Sequence, residues 1–342
     1  MGEAGTLIVG PSWVGDMVMA QSLFRLLAER QPERPIDVLA PAWSLPIVGR
    51  MPEVRKGIAA ETGHGEFNIR KRRAIGRALR GEYSHAIVLP RSFKSALAPW
   101  FARIPRRTGY RGEMRYGLLN DIRPFDPDVL DQTVKRYVAL GLNPGETHAD
   151  APYPALQVSP ENRRRVLSDL GLADARPAIA MMPGAEYGPA KCWPLSHFAE
   201  LAGLLIEDGY EVWILGSQKD AQAGEKIEAS APAGAGVRNL CGKTSLEDVI
   251  DLLGHVEQAV SNDSGLMHIA AAVGTHVHAI YGSSTPAFTP PLTAHADTHY
   301  LELECSPCFE RTCPLEHLNC LRQISAAAVH MAIRARRQAL SL

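Results

Sequence analysis

The 342-residue sequence predicts an α/β protein of two tandem domains, each a doubly wound parallel sheet covered by helices, facing each other across a cleft. Three observations lead there. Short β-branched runs alternate with helical patterns through both halves, the sign of parallel strands joined by helical crossovers. The length exceeds one ordinary core and suits two of about 150 residues each. Between the halves, Asn143 to Ala155 reads N-P-G-E-T-H-A-D-A-P-Y-P-A, and three prolines with two acids in thirteen residues mark a linker. The expected division is residues 1–155, 156–325 and a closing helix, 326–342, that could dock back on either domain, the first included.

In order along the chain, the run T-L-I-V predicts a first strand at Leu7 to Val9, and a helical pattern from Asp16 to Glu29 follows at once. Ile36 to Leu39 and Ala86 to Leu89 predict further strands, with a helix at Asn68 to Arg80. The second half predicts strands at Ala178 to Met182, Glu211 to Leu215, Gln258 to Ser261 and His278 to Tyr281. Helices separate them at Ser196 to Glu207, Asp220 to Ser230, Ser245 to Leu253 and Gly265 to Val273. Ligands of such sheets bind at the carboxyl ends of the strands, so the residues just after each strand are the ones to examine.

Composition narrows the setting. An apolar fraction of 46% and a charged fraction of 21% suit a globular chain, and 36 basic against 37 acidic residues give no overall attraction to nucleic acid. No stretch approaches the roughly 20 apolar residues of a membrane-spanning helix, and a strand rather than a signal peptide follows Met1 to Gly5, so a cytoplasmic location is expected. Charge is uneven locally: Glu66 to Tyr116 holds thirteen Lys or Arg against three Glu. Such a surface suits an acidic partner, either an anionic membrane face or a substrate carrying phosphates and carboxylates. A merely solvated helix face is the plainer account.

The turn after the first strand, G-P-S-W-V-G-D, resembles a nucleotide-binding turn with the wrong charge. Gly10 and Gly15 are five apart and no third glycine follows, so the dinucleotide fingerprint is missing, and Asp16 would repel a phosphate. In the second half, S-N-D-S-G-L-M-H leads from a strand into a helix. There Ser264 and Gly265 would offer free backbone N–H groups and the positive end of the helix dipole to an anion, with His268 projecting from the same end. The competing account makes Asp263 or Ser264 a simple N-cap and His268 a packed side chain. The segment M-M-P-G-A-E-Y-G-P-A-K-C-W-P sets Lys191 after a glycine-rich loop, a point charge suited to phosphate. In I-L-G-S-Q-K-D, Gly216 is followed by Asp220, which either holds ribose hydroxyls or caps a helix. The cysteines Cys305, Cys308, Cys313 and Cys320, with His317 nearby, contain one metal-like pair. They lack the second pair of a zinc ribbon, and a free-thiol loop is the simpler reading.

These segments together carry a family resemblance. G-P-S-W-V-G-D-M-V-M-A-Q, P-G-A-E-Y-G-P-A-K-x-W-P, N-D-S-G-L-M-H-x-A-A-A and Y-G-S-S-T-P-A-F-T-P-P resemble the ADP-heptose:lipopolysaccharide heptosyltransferases of glycosyltransferase family 9. A-P-A-W, R-M-P-E-V, S-F-K-S-A-L and R-T-G-Y-R-G-E-M-R-Y-G-L-L-N-D extend the likeness from about residue 6 to 292. The resemblance implies a GT-B fold of two Rossmann-like domains, with donor on the second and acceptor on the first. It also implies inverting transfer of L-glycero-D-manno-heptose from ADP-heptose to the first heptose of the lipopolysaccharide inner core, heptosyl-Kdo2-lipid A. Asp16 would then be the general base and Lys191 would stabilise the leaving group. Donor contacts would come from Gly184, Ala185, Lys191, Gly216, Asp220, Thr244, Asp263, Ser264, Gly265 and His268. Acceptor contacts would come from Ser12, Trp13, Lys94, Arg111 and Arg115. No metal or cofactor would be required, with Mg²⁺ stimulation allowed. Work at the cytoplasmic face of the inner membrane is implied as well. Related heptosyltransferases can carry hydroxyl residues where Gly184 and Ala185 stand, which leaves phosphate contacts there to the backbone. The cysteine-bearing tail after Leu303 lies outside the motifs that carry the likeness.

Other readings keep the same motifs. A family member adding a different heptose differs only in acceptor. A GT-B-like sugar-nucleotide epimerase would need no acceptor surface, and a non-catalytic nucleotide-binding protein would not need Asp16.

Overall fold

The computed structural model describes residues 4–60, 67–143, 145–146, 150–172, 176–232 and 234–340; Met1 to Glu3, Glu66, Pro144, Thr147 to Ala149, Ser341 and Leu342 from the stretches above lie outside them. The chain divides into two compact units, residues 1–157 and 158–342. The boundary falls two residues beyond the expected one.

The first unit contains β1 (Gly5–Val9), α1 (Val14–Arg30), β2 (Ile36–Pro41), α2 (Leu45–Val48), β3 (Val54–Ala60), α3 (Ile69–Ala78), β4 (Tyr83–Val88), α4 (Leu97–Phe101), β5 (Arg106–Tyr110), β6 (Asp121–Arg123) and α5 (Thr133–Ala139). The second contains α6 (Pro160–Asp169), β7 (Ala178–Met182), α7 (Leu195–Glu207), β8 (Glu211–Ile214), α8 (Ala221–Glu228), β9 (Val237–Asn239), α9 (Leu246–Leu253), β10 (Gln258–Asn262), α10 (Gly265–Ala272), β11 (His276–Ile280), β12 (Ala296–His299), α11 (Asn319–Arg322) and α12 (Ala326–Leu340).

Both sheets are parallel and share one topology. Their strand orders are β3-β2-β1-β4-β5-β6 and β9-β8-β7-β10-β11-β12. In each, three strands wind outward from the middle before the chain returns to the centre and winds the other way, which is the doubly wound order 3-2-1-4-5-6. The switch points are therefore β1/β4 and β7/β10. The loops after these four strands are the ones topology reserves for ligands.

Burial explains which strands the sequence reveals. β1, β2, β7, β8 and β10 are buried along their whole length; all but β10, which reads Q-A-V-S-N, are mostly apolar, as expected of strands covered on both faces. The outer strands do not: β3 reads V-R-K-G-I-A-A and is largely exposed, while β6 and β9 are three residues long. Polar pins hold β3 instead. Arg55 donates from Nε and Nη2 to the buried Asp37 carboxylate at 2.9 and 2.6 Å, and the Tyr83 hydroxyl donates to the same group at 2.6 Å. This joins β2, β3 and β4 through one carboxylate.

Of the two domains open to the closing helix, α12 packs on the second: it sets Ala326, Val329 and Ile333 into the core of that unit with Phe198, Leu201 and Leu205 of α7. Val329 and Ile333 are fully buried. Each such side chain contributes roughly 1.5–3 kcal/mol, which outweighs any preference of a basic helix for solvent.

Candidate active site

In the first unit the β1 strand ends at Val9 and the chain turns through Gly10 to Trp13 into α1, whose first turn carries Asp16. A carboxylate there is favoured by the helix dipole. The Tyr137 hydroxyl on α5 donates to Asp16 Oδ1 at 2.7 Å and fixes the direction of the carboxylate. Burial and the neighbouring Asp16 charge push the Tyr137 phenol well above its usual value, so it remains a donor. Tyr137 was not singled out from the sequence, because nothing local distinguishes a buried tyrosine 121 residues away.

Beside this turn lies a cavity of about 210 Å³ lined by Ser12, Trp43, Arg72, Ser92 and Lys94 among others, at the carboxyl ends of β1 and β2. The Trp43 indole donates to the Ser12 carbonyl at 3.1 Å, and Arg72 donates to the Lys94 carbonyl at 3.1 Å. Of the expected acceptor residues, Ser12 and Lys94 line this cavity, and Trp13 and Arg111 are exposed.

Arg115 is a correction. It is 2% exposed, and its guanidinium donates to the carbonyls of Pro90 at 2.6 Å, Ser92 at 3.3 Å and Tyr110 at 2.7 Å and to the Ser95 hydroxyl at 3.2 Å. Burial lowers its pKa to about 10. A guanidinium so engaged staples the loop after β4 and cannot also grip an acidic oligosaccharide.

In the second unit the loops after β7 and β10 meet around one buried amide. Asn262 accepts from the Trp193 backbone N–H at 2.9 Å and donates to the Pro183 carbonyl at 2.7 Å. It therefore fixes both ends of the loop that contains Gly184, Ala185 and Lys191. Lys191 Nζ lies 2.5 Å from Asp263 Oδ2, with side-chain exposures of 17% and 5%. The Asp263 carboxylate also accepts from Ser284 at 2.5 Å and Thr289 at 3.4 Å. Its structural partners are thus a cation and two hydroxyls, which hold the ammonium at the head of α10.

Helix α10 begins at Gly265, and the Ser264 side chain makes no capping bond; its hydroxyl faces that of Ser261 at 3.3 Å. The simple N-cap account therefore fails for Ser264. His268 is 4% exposed. Burial lowers its pKa to about 4, with Lys191 pushing the same way, so it is a neutral imidazole near pH 7.

Asp220 follows the capping account. Its Oδ2 accepts from the Ser217 N–H and hydroxyl, both at 2.8 Å, in a capping box. The same carboxylate lies where a Cβ on Gly184 would stand, and a Cβ on Gly216 would come within 2.9 Å of it. Any side chain at 184 would have to displace the Asp220 carboxylate from its capping bonds, which favours glycine there. Thr244, half-buried, has a buried Oγ1 without a hydrogen-bond partner.

The cysteine-bearing tail braces the Lys191 loop. The Arg311 carbonyl accepts from the Ala190 N–H at 3.1 Å and would lie 2.6 Å from a Cβ on Gly188. The Tyr187 hydroxyl donates to the Phe309 carbonyl at 2.5 Å, and the Tyr187 ring faces Lys191 at 5.2 Å and Arg311 at 5.4 Å. Cys305, Cys308, Cys313 and Cys320 all line one cavity of about 20 Å³ with His317. Burial and the neighbouring cysteines push the Cys320 thiol up. The four thiols gather, yet among the described residues they do not form a group whose ligand atoms all lie within 4.8 Å.

Two Rossmann-like sheets, with a carboxylate after the first strand of one and a lysine held at the head of α10 in the other, are the architecture of a glycosyltransferase of GT-B type. The chain belongs to glycosyltransferase family 9 (heptosyltransferase), whose model matches residues 72–319. It is 51% identical over 299 residues to lipopolysaccharide heptosyltransferase 2 of Salmonella typhimurium, covering 85% of this chain and 86% of that protein. It is 50% identical over 299 residues to the protein of the same name from Escherichia coli K12, with the same coverage. Among solved structures, the E. coli ADP-heptose lps heptosyltransferase II matches with a TM-score of 0.88 and 43% identity, over 97% of this chain and 98% of that one. The matched span also takes in most of the cysteine-bearing tail.

Proposed function

We propose that this glycosyltransferase moves L-glycero-D-manno-heptose from ADP-heptose to the first heptose of heptosyl-Kdo2-lipid A, with inversion at the anomeric carbon. The observation that carries the reading is Lys191, fixed by Asp263 at the uncapped head of α10. ADP gains negative charge as its bond to the sugar breaks and the sugar becomes oxocarbenium-like. The Lys191 ammonium and the N–H groups of the first α10 turn are preorganised to receive that charge. Neutral His268 adds a hydrogen-bond donor without a competing titration. Asp263 acts as a positioning residue for Lys191, and Asn262 holds the loop that presents it. The relatives, named lipopolysaccharide heptosyltransferase 2 and ADP-heptose lps heptosyltransferase II, support heptose transfer from ADP-heptose to lipopolysaccharide.

Asp16 is the general base of this proposal. The acceptor hydroxyl is far less acidic than a carboxylic acid, so the proton moves as the new bond forms, contributing on the order of 10²–10⁴ in rate. The Tyr137 hydrogen bond holds the carboxylate for that step. Neither role calls for a metal, and Mg²⁺ enters the proposal as a stimulant only. The deciding experiment offers ADP-heptose with acceptors bearing zero or one heptose. Product from the one-heptose acceptor alone is expected, and equal transfer to both would overturn the acceptor assignment.

The enzyme is further proposed to work against the cytoplasmic face of the inner membrane. No helix among the described residues is long and apolar enough to cross a membrane. Helix α3 instead exposes Arg70, Lys71, Arg73 and Arg77, with Phe67 55% and Ile69 48% exposed at its start. Basic residues near an anionic surface contribute about 1 kcal/mol each. Sedimentation with anionic vesicles should therefore weaken in R73E/R77E, and unchanged binding would remove this surface from the proposal.

A further inference from the structure

One cluster lies outside everything used above. On β11, His276 and His278 alternate; on β12, Asp297 and His299 alternate, and His278 is the register partner of Asp297. Residues two apart share a face of a strand, so all four side chains stand on one face at the edge of the second sheet. The Asp297 carboxylate lies 2.8 Å from His276 Nε2 and 3.6 Å from His278 Nδ1, and His299 Nε2 lies 3.5 Å from His278 Nδ1. His276, His278 and Asp297 form the one group of His, Cys, Asp or Glu among the described residues whose ligand atoms all lie within 4.8 Å.

The protonation pattern follows from hydrogen bonds. Gln258 Nε2 donates to the Ile333 carbonyl at 3.2 Å, which turns its Oε1 toward His278 Nε2 at 2.8 Å. An amide oxygen only accepts, so Nε2 carries the proton and Nδ1 presents a lone pair. That lone pair faces a carboxylate oxygen, another acceptor. With His299 as its Nε2–H tautomer, that ring donates to the same lone pair at 3.5 Å, a long hydrogen bond that a bound metal ion would replace. The His276 Nδ1 atom is also buried without a partner.

We propose that His276, His278 and Asp297, with His299 at their edge, form a binding site for a divalent transition metal, with Zn²⁺ as the natural occupant. Two imidazoles and a carboxylate, with water or His299 in the fourth position, are a zinc donor set, and at metal–ligand distances of about 2.0–2.1 Å the edges of a tetrahedron are about 3.3 Å. The three separations above bracket that edge. Gln258 is the outer partner that fixes the His278 ring, as metal-bound histidines require. Asp297 is half-exposed and gives the ion an entry from solvent. The site ties β11 to β12 across the loop that contains Ser284 and Thr289, the two hydroxyls on Asp263. Its predicted effect is therefore on the stability of this sheet edge.

The test uses the full chain, stripped with EDTA and titrated with Zn²⁺ by calorimetry, then loaded with Co²⁺ for absorption spectroscopy. One equivalent is expected to bind, with Tm rising by about 5 °C at a hundredfold excess over Kd. Gln258→Ala should weaken binding about 10–100-fold, and Asp297→Asn, at a half-exposed position that tolerates the change, by more. The Co²⁺ spectrum should lack a thiolate charge-transfer band. No binding, unchanged affinity in Asp297→Asn, or a thiolate band placing the metal on the cysteines would each overturn the proposal.

Discussion

Replacing Tyr137 with phenylalanine removes one oxygen atom from a buried ring and leaves its packing intact. The lost interaction is the 2.7 Å hydrogen bond to Asp16. A hydrogen bond to a charged group contributes about 1.5–3 kcal/mol, and one pKa unit corresponds to about 1.4 kcal/mol. The largest shift this allows is about one to two units. Water reaching the part-buried carboxylate recovers some of it, so about one unit is expected. The sign is fixed: the bond favours the ionised carboxylate, and its loss makes protonation easier. The acid limb of the kcat/KM profile for heptose transfer should therefore move up by about one pH unit. The plateau should fall by less than about tenfold, because the carboxylate itself remains. The assay is initial-rate transfer to the one-heptose acceptor across the acid limb, with ADP-heptose binding measured in parallel. An acid limb and plateau both unchanged would mean that the carboxylate held by Tyr137 is not the titrating base.

Further outcomes follow from the same geometry. Lys191→Ala should lower kcat by about 10²–10³, the range for loss of one preorganised electrostatic contact, and an unchanged kcat would remove it from leaving-group stabilisation. Arg115→Ala removes four hydrogen bonds of a buried guanidinium and should lower Tm, whereas Arg111→Glu on the surface should leave Tm unchanged and raise KM for the acceptor; melting curves and acceptor titrations separate the two. Burial holds His85 and His268 near pKa 4 in the fold against an ordinary 6.5. Both charge more readily when unfolded, so their contribution is full above pH about 6.5 and is lost as pH falls toward 4. A Tm flat from pH 8 to 4.5 would contradict that.

How much was legible follows burial. The central strands and their helices were readable because strands such as A-I-A-M-M and E-V-W-I are apolar on both faces. The edge strands were hidden because V-R-K-G-I-A-A and V-R-N satisfy hydrogen bonds while keeping polar faces in water. Lys191 and Ser264 were legible because a charge after a strand and a glycine opening a helix are local signals. Tyr137 and Asn262 were not, since each acts across the chain on a partner that only folding supplies. Arg115 misled for the same reason: thirteen basic residues in one stretch look alike until burial separates the staple from the surface. The cysteine tail was unreadable as a brace because its contacts to the Lys191 loop run mostly through backbone carbonyls, which carry no sequence signature.

The most direct test of the account is Asp16→Asn, a substitution of equal size that removes the basic oxygen and keeps a hydrogen-bond acceptor for Tyr137. Transfer from ADP-heptose to the one-heptose acceptor should fall by about 10²–10⁴, while ADP-heptose binding at the Lys191 site stays within a few-fold of the parent. Transfer at the parent rate would contradict the assignment of the base and with it the role given to the turn after β1.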